Sequence, residues 1–177
     1  MSRPSPPPPV KLIVGLLAAG MPVQTEALRL LEEAFGPIEA LSEAVDFKAS
    51  DYYTPEMGPD LIRRWVSLVE PVEAGRLARI KLATIQMEDS LARPDGRRRV
   101  NLDPGLLSLE NLVLATGKAV AHRVYLGEGI YAEVSLIFQA GRFERTTWTY
   151  PDYAGGILPE WLSSIRQRYK EELREDR

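Results

Sequence analysis

Residues 121–150 read AHRVYLGEGIYAEVSLIFQAGRFERTTWTY. Three runs rich in β-branched and aromatic residues, 121–126, 130–139 and 142–150, are separated by Gly127-Glu128-Gly129 and by Ala140-Gly141. Short glycine-bearing connections between such runs predict a three-stranded antiparallel meander. With a three-residue loop first and a two-residue turn second, a register follows. Leu126 pairs with Ile130, Tyr125 with Tyr131 and Arg123 with Glu133, while Tyr131 also pairs with Tyr150 and Glu133 with Trp148. Side chains alternate along a strand. One face then carries Arg123, Glu133, Trp148, Tyr125, Tyr131 and Tyr150, and the other His122, Val124, Leu126, Ile130, Ala132 and Val134. The second set is apolar and belongs to the core.

Upstream, LIVGLLA at 12–18 is a continuous apolar run, as expected of a strand buried on both faces. Apolar residues at helical spacing predict a helix over 24–35, ended by Gly36-Pro37. A strand follows at 38–47, a turn-rich loop at 48–60 and a strand at 61–71. Helical spacing returns over 73–91, then a basic turn at 94–99 and a short strand at 100–105. Strand, helix, strand, strand, helix, strand is the ferredoxin-like order, with two helices on one face of an antiparallel sheet. Residues 106–120 read as strand or helix, and 158–174 as a final helix with Pro159 in its first turn. The fold class expected is α+β: one domain over 10–177, with a ferredoxin-like βαββαβ core extended by the meander and the final helix. Residues 1–9, SRPSPPPP after Met1, read as a disordered, polyproline-like tail.

The chain has 177 residues, enough for one domain with a real core. A net charge of −3 gives no case for binding extended nucleic acid or an anionic membrane across a whole face. No cysteine is present, so disulfides, thiolate chemistry and cysteine-ligated metals are out of reach. His122 is the single histidine, too few for a usual zinc set, whereas a carboxylate site for magnesium remains open. No window reaches membrane-spanning length, and the apolar run at 10–23 lacks the flanks of a signal peptide, so a cytoplasmic location is the expectation.

Candidate chemistry concentrates in three places. DYYTPEMG at 51–58 offers Asp51, Tyr52, Tyr53 and Glu56 on a loop. GRRRVNLDPG at 96–105 offers three consecutive arginines, then Asn101 and Asp103 on one strand face. Alternation puts Arg97 and Arg99 on one side and Arg98 on the other, and guanidinium suits phosphate or carboxylate. Solvated arginines and an Asx turn at Asp103 account for that stretch equally well. Asp152 and Tyr153 lie on the loop beyond the meander. Lys81 and Glu88, seven apart on the second helix, read as a solvated edge, and His122 as a core histidine with a catalytic base the lesser reading. No G-x-S-x-G or P-loop occurs: in LVLATGKAV, 112–120, Leu112 and Ala119 stand where glycine and Ser or Thr are required.

KLIVGLLA, DYYTPEMG, RRRVNLDPG, NLVLAT, HRVYLGEGIYAEVSL and WTYPDY together resemble a bacterial family known as domain of unknown function 4416, over about residues 10–170. The resemblance implies that these motifs belong together and brings an expectation of nucleotide binding, without an established activity. The combined expectation is a protein that binds a phosphorylated or carboxylated small molecule, nucleotides included. Arg97, Arg99 and Asn101 would hold the anion. Tyr52, Tyr53, Arg123, Trp148, Tyr150 and Tyr153 would complete the pocket. Asp103, Glu133 and Asp152 would supply catalytic carboxylates, with Asp103 and Asp152 able to hold magnesium. Asp103, Arg99 and Asp152 are therefore expected in one pocket. The rival reading is a module that binds a protein partner through the aromatic sheet face. RNA binding on the sheet is a third, disfavoured by the acidic balance and the lack of an RNP-like motif.

Overall fold

The apolar run near the start of the chain forms the centre of the sheet. The computed structural model describes residues 3–175. Strand β1, Lys11–Ala18, is buried at every position. It lies between β4, Ile62–Leu68, and β5, Val100–Leu107, antiparallel to both. Outside β4 run the short strands β2, Ile38–Leu41, and β3, Val45–Asp46. Beyond β5 come β6, Asn111–Thr116, and β8, Ile130–Gln139. Strands β7, Val124–Gly127, and β9, Arg142–Arg145, both pair with β8. The spatial order is β2-β4-β1-β5-β6-β8-β7, and every neighbouring pair is antiparallel. The protein is α+β on an antiparallel sheet. The predicted strand over 38–47 is two strands, and the ambiguous segment 106–120 is the end of β5 followed by β6.

Helices cover both faces. Helix α1, Met21–Phe35, and α3, Leu77–Ser90, pack on the face of Leu12, Val14, Leu16 and Ala18. Helix α4, Leu158–Glu175, packs on the other face. There Leu158, Leu162 and Ile165 meet Ile13, Trp65, Leu107 and Tyr153. Two helices on one face is the expected arrangement, and the final helix closes the opposite one. Within the loop before β4, Thr54–Met57 forms a single turn, α2. Residues 3–9 are exposed and carry no regular structure; Met1 and Ser2 of the expected tail, and Asp176 and Arg177 of the expected domain, lie outside the described residues. Among the described residues no helix is long and apolar enough to cross a membrane.

The sheet opens between β5 and β6. Strand β5 pairs with β1 from Val100 to Leu107, but with β6 only through Gly105–Leu107 against Leu112–Leu114. Gly105 lets the two strands meet: a Cβ there would lie 2.6 Å from Leu114 Cδ2 and 2.9 Å from the Val113 carbonyl oxygen. Below that point β5 turns away. The Leu102 N–H faces the gap, and by alternation so would that of residue 104, where proline has none to leave unpaired.

The meander departs from expectation in three places. Tyr125 sits opposite Tyr131, as its loop length implies, but a bulge then sets Gly127, not Leu126, opposite Ile130. The β8–β9 register holds from Gln139–Arg142 to Leu136–Arg145 and then stops. Thr149 Oγ1 accepts from Thr146 N–H at 2.7 Å, turning the chain off the sheet. The pairs Tyr131–Tyr150 and Glu133–Trp148 therefore do not form. Val124 and Leu126 are 67% and 42% exposed rather than core, because β7 is an edge strand.

Candidate functional site: a cleft in the opened sheet

The opening between β5 and β6 is a cleft of about 530 Å³. Its floor is the sheet face on the α4 side. Across three strands the registers place Trp65, Gly15 and Asp103 in one row and Arg63, Leu17 and Asn101 in the next. Tyr153 fills the space over Gly15, where a Cβ would lie 1.9 Å from its hydroxyl oxygen. That hydroxyl is buried and has no hydrogen-bond partner among the described residues. Burial raises the Tyr153 phenol well above its ordinary range, so it is a neutral group.

Arg63, 3% exposed, joins two carboxylates. Its Nη2 lies 2.8 Å from Asp152 Oδ2 and its Nη1 3.5 Å from Asp103 Oδ2. The Asp152 contact is an ion pair outside hydrogen-bond geometry, since that oxygen has no hydrogen-bond partner. Burial pushes the Asp152 carboxyl above the usual range against the pull of Arg63. Asn101 Nδ2 donates to Asp103 Oδ2 at 2.8 Å.

Helix α3 supplies the back wall, where two buried charges stand in for the absent strand. Lys81 Nζ donates to the Leu102 carbonyl at 2.6 Å, and the Leu102 N–H donates to Glu88 Oε1 at 2.7 Å. Lys81 Nζ lies 3.8 Å from Glu88 and 3.9 Å from Asp103 Oδ1. Burial raises the Glu88 carboxyl despite Lys81 and the amide.

A second wall comes from the loops. Arg98 grips Glu56 through Nε to Oε1 at 2.8 Å and Nη2 to Oε2 at 2.7 Å, and donates to Asn101 Oδ1 at 2.9 Å. Hydrogen bonding to Arg98 lowers the Glu56 carboxyl. This pair ties the loop that carries Tyr52 and Tyr53 to the start of β5. Burial raises the Tyr53 phenol. Opposite, Glu133 Oε2 accepts from Arg123 Nε at 2.6 Å and faces His122 Nε2 at 3.2 Å. Arg123 also donates to the Tyr150 hydroxyl at 2.9 Å. Trp148 stacks on His122 at 4.9 Å and 11°. At the mouth, Lys118 Nζ donates to the Tyr52 hydroxyl at 2.8 Å.

The family described as Domain of unknown function (DUF4416) matches residues 8–169. The chain belongs to that family. No curated protein and no solved structure matches it. Every cleft residue of this DUF4416 chain lies inside the matched span.

Of the residues expected from sequence, Tyr52, Tyr53, Asn101 and Asp103 line the cleft, as do Glu133, Tyr150, Asp152 and Tyr153. Arg123 and Trp148 stand behind Glu133 and do not line it. The arginine assignment needs correction. Arg97 points outward to Asp95 at 2.7 Å with its side chain 53% exposed, and Arg99 does not line the cleft. Arg98, the residue of opposite parity, does. Asp103 and Asp152 share the cleft as expected, and Arg99 does not join them. His122 belongs with Glu133 and Trp148 rather than with the core, and Lys81 and Glu88 are buried rather than solvated.

The magnesium expectation does not fit this geometry. A guanidinium, that of Arg63, already lies between Asp103 and Asp152. Among the described residues no three His, Asp or Glu side chains gather as a metal set. Arg63, Lys81, Glu88, Arg98 and Lys118 are the charged cleft residues that sequence reasoning did not assign to the site. For Arg63 the available signal is alternation in 61–71, which puts it on the face of Trp65.

Proposed function

We propose that this protein binds a small anionic organic molecule, phosphorylated or carboxylated and including nucleotides, in the cleft between β5 and β6. The observation that carries this reading is the opened sheet itself. A closed ladder would satisfy Leu102 with backbone alone. Here the same amide and carbonyl are met by two buried charged side chains, an expensive substitute that a structural role does not require. What the substitution leaves is a concave, tyrosine-walled space with convergent polar groups, the usual form of a small-molecule site. Asp103, Glu133 and Asp152 are each held by an arginine, which favours recognition over acid–base chemistry.

The test is a thermal-shift panel of nucleotides, sugar phosphates and carboxylic acids. A ligand of the native state raises the melting temperature by mass action. The expected result is a shift that Lys118→Ala and Asp103→Ala reduce. No shift across the panel overturns the reading.

A second reading draws on the exposed edge. Val124, Tyr125 and Leu126 of β7 are 67%, 59% and 42% exposed, a small apolar strand open to a protein partner. It predicts that Tyr125→Lys abolishes capture of a specific partner while leaving ligand shifts unchanged.

A further inference from the structure

The cleft has a polarity that the small-molecule reading alone does not specify. Its cations are nearly all engaged. Arg63 faces two aspartates, Arg98 grips Glu56 and Asn101, and Lys81 holds the Leu102 carbonyl. Lys118 is the exception: its ammonium group has three N–H bonds, one of which goes to the Tyr52 hydroxyl at the exposed mouth. Among the carboxylates of the floor, Asp103 is the reverse case. Asp103 Oδ2 is taken, but Oδ1 has only Lys81 at 3.9 Å, and the side chain is 26% exposed. Asp152 Oδ2 lies 2.8 Å from Arg63 Nη2 and, like the Tyr153 hydroxyl, is buried, so Asp103 is the more open of the two carboxylates, its side chain 26% exposed against 12%.

Resting on the small-molecule reading, we infer that the floor accepts hydrogen bonds from ligand hydroxyls while the mouth takes the ligand's phosphate. The ligand class is a phosphorylated polyol: a ribose phosphate, alone or within a nucleotide. A carboxylate offers lone pairs that suit adjacent hydroxyls, and it repels a phosphate. A phosphate is therefore disfavoured against Asp103 and Asp152 and is directed to Lys118. Tyr52 and Tyr150, 61% and 43% exposed, offer ring faces at the mouth for a flat group if one is attached.

Isothermal titration calorimetry on the full chain tests this with adenosine 5′-monophosphate, its 2′,3′-dideoxy analogue, ribose 5-phosphate and adenosine. Loss of hydrogen bonds to a charged acceptor weakens binding by roughly tenfold or more. The dideoxy analogue is expected to bind that much more weakly than its parent. Asp103→Asn should erase the difference, and Lys118→Ala should weaken both phosphates but not adenosine. Equal affinity for ribose 5-phosphate and the nucleotide identifies the sugar phosphate as the ligand; much tighter nucleotide binding identifies the nucleotide. Circular dichroism checks that Asp103→Asn is folded, and Lys118, on an exposed loop, gives a second variant. Equal binding of parent and dideoxy analogue, or no effect of Lys118→Ala, overturns the inference and leaves the small-molecule reading intact. Failure of all four probes also overturns it, and that reading falls with it only if the carboxylate and phosphate panel gives no thermal shift.

Discussion

Gly15 gives the cleft its floor by having no side chain. In a fully buried strand an alanine would ordinarily be preferred on conformational grounds. Here a methyl group would meet the Tyr153 hydroxyl at 1.9 Å, and Tyr153 is too buried to swing away. Gly15→Ala is expected to destabilise the protein by about 1–3 kcal/mol through overpacking, read as a lower urea midpoint. Tyr153→Phe is expected to be neutral or stabilising, since it deletes a buried hydroxyl that has no partner, and to reduce the cost of the alanine. At this scale the aromatic and acidic loop residues were legible because loops favour such groups only for a reason. Arg63, Lys81 and Glu88 were not. A charge in a strand or helix reads as solvent-facing unless its partner is visible, and these partners lie 40, 21 and 14 residues away.

Helix α3 acts as a surrogate strand through one lysine and one glutamate. Burial raises the Glu88 carboxyl, so the folded state holds its proton at pH values where the unfolded chain has released it. The stability this group confers is complete below the ordinary carboxylate value, about 4.3, and is lost as pH rises through its raised value. Asp152, raised by burial as well, adds to that slope. Glu56, lowered by Arg98, works oppositely: its contribution is present above the ordinary value and is lost as pH falls through the lowered one. Glu88→Gln should flatten the decline in unfolding free energy as pH rises above the ordinary carboxylate value, measured by urea titration at each pH. The helices and long strands were legible from periodicity. The exit of the chain after Arg145 was not, because a Thr-Thr-Trp-Thr run satisfies strand alternation and a side-chain-capped turn equally well.

On the scale of the whole molecule, two large cores and a small third cluster share one sheet, with β1 contributing Leu12, Val14 and Leu16 to the first, Ile13 to the second and Leu17 to the third. Neither core can be lost without exposing the opposite face of the same strand. Unfolding is expected as one cooperative transition, with far-ultraviolet dichroism and tryptophan fluorescence coinciding in urea. Separate midpoints would show that the α4 side melts independently. The fold class was legible because it rests on runs and turns. The opening was not, because NLDPG followed by NLVLAT reads as two strands of an ordinary hairpin, with nothing to say that only three residue pairs would close. Those three pairs make the sheet a book with a very short spine. Torsion between its two covers falls on the Gly105–Leu107 ladder and the 108–110 turn beside it, while the open edge is spanned by the side-chain bond between Tyr52 and Lys118. A molecule bound as proposed between the covers would act as a wedge and a clasp at once, so occupancy should be readable as a loss of motion between them.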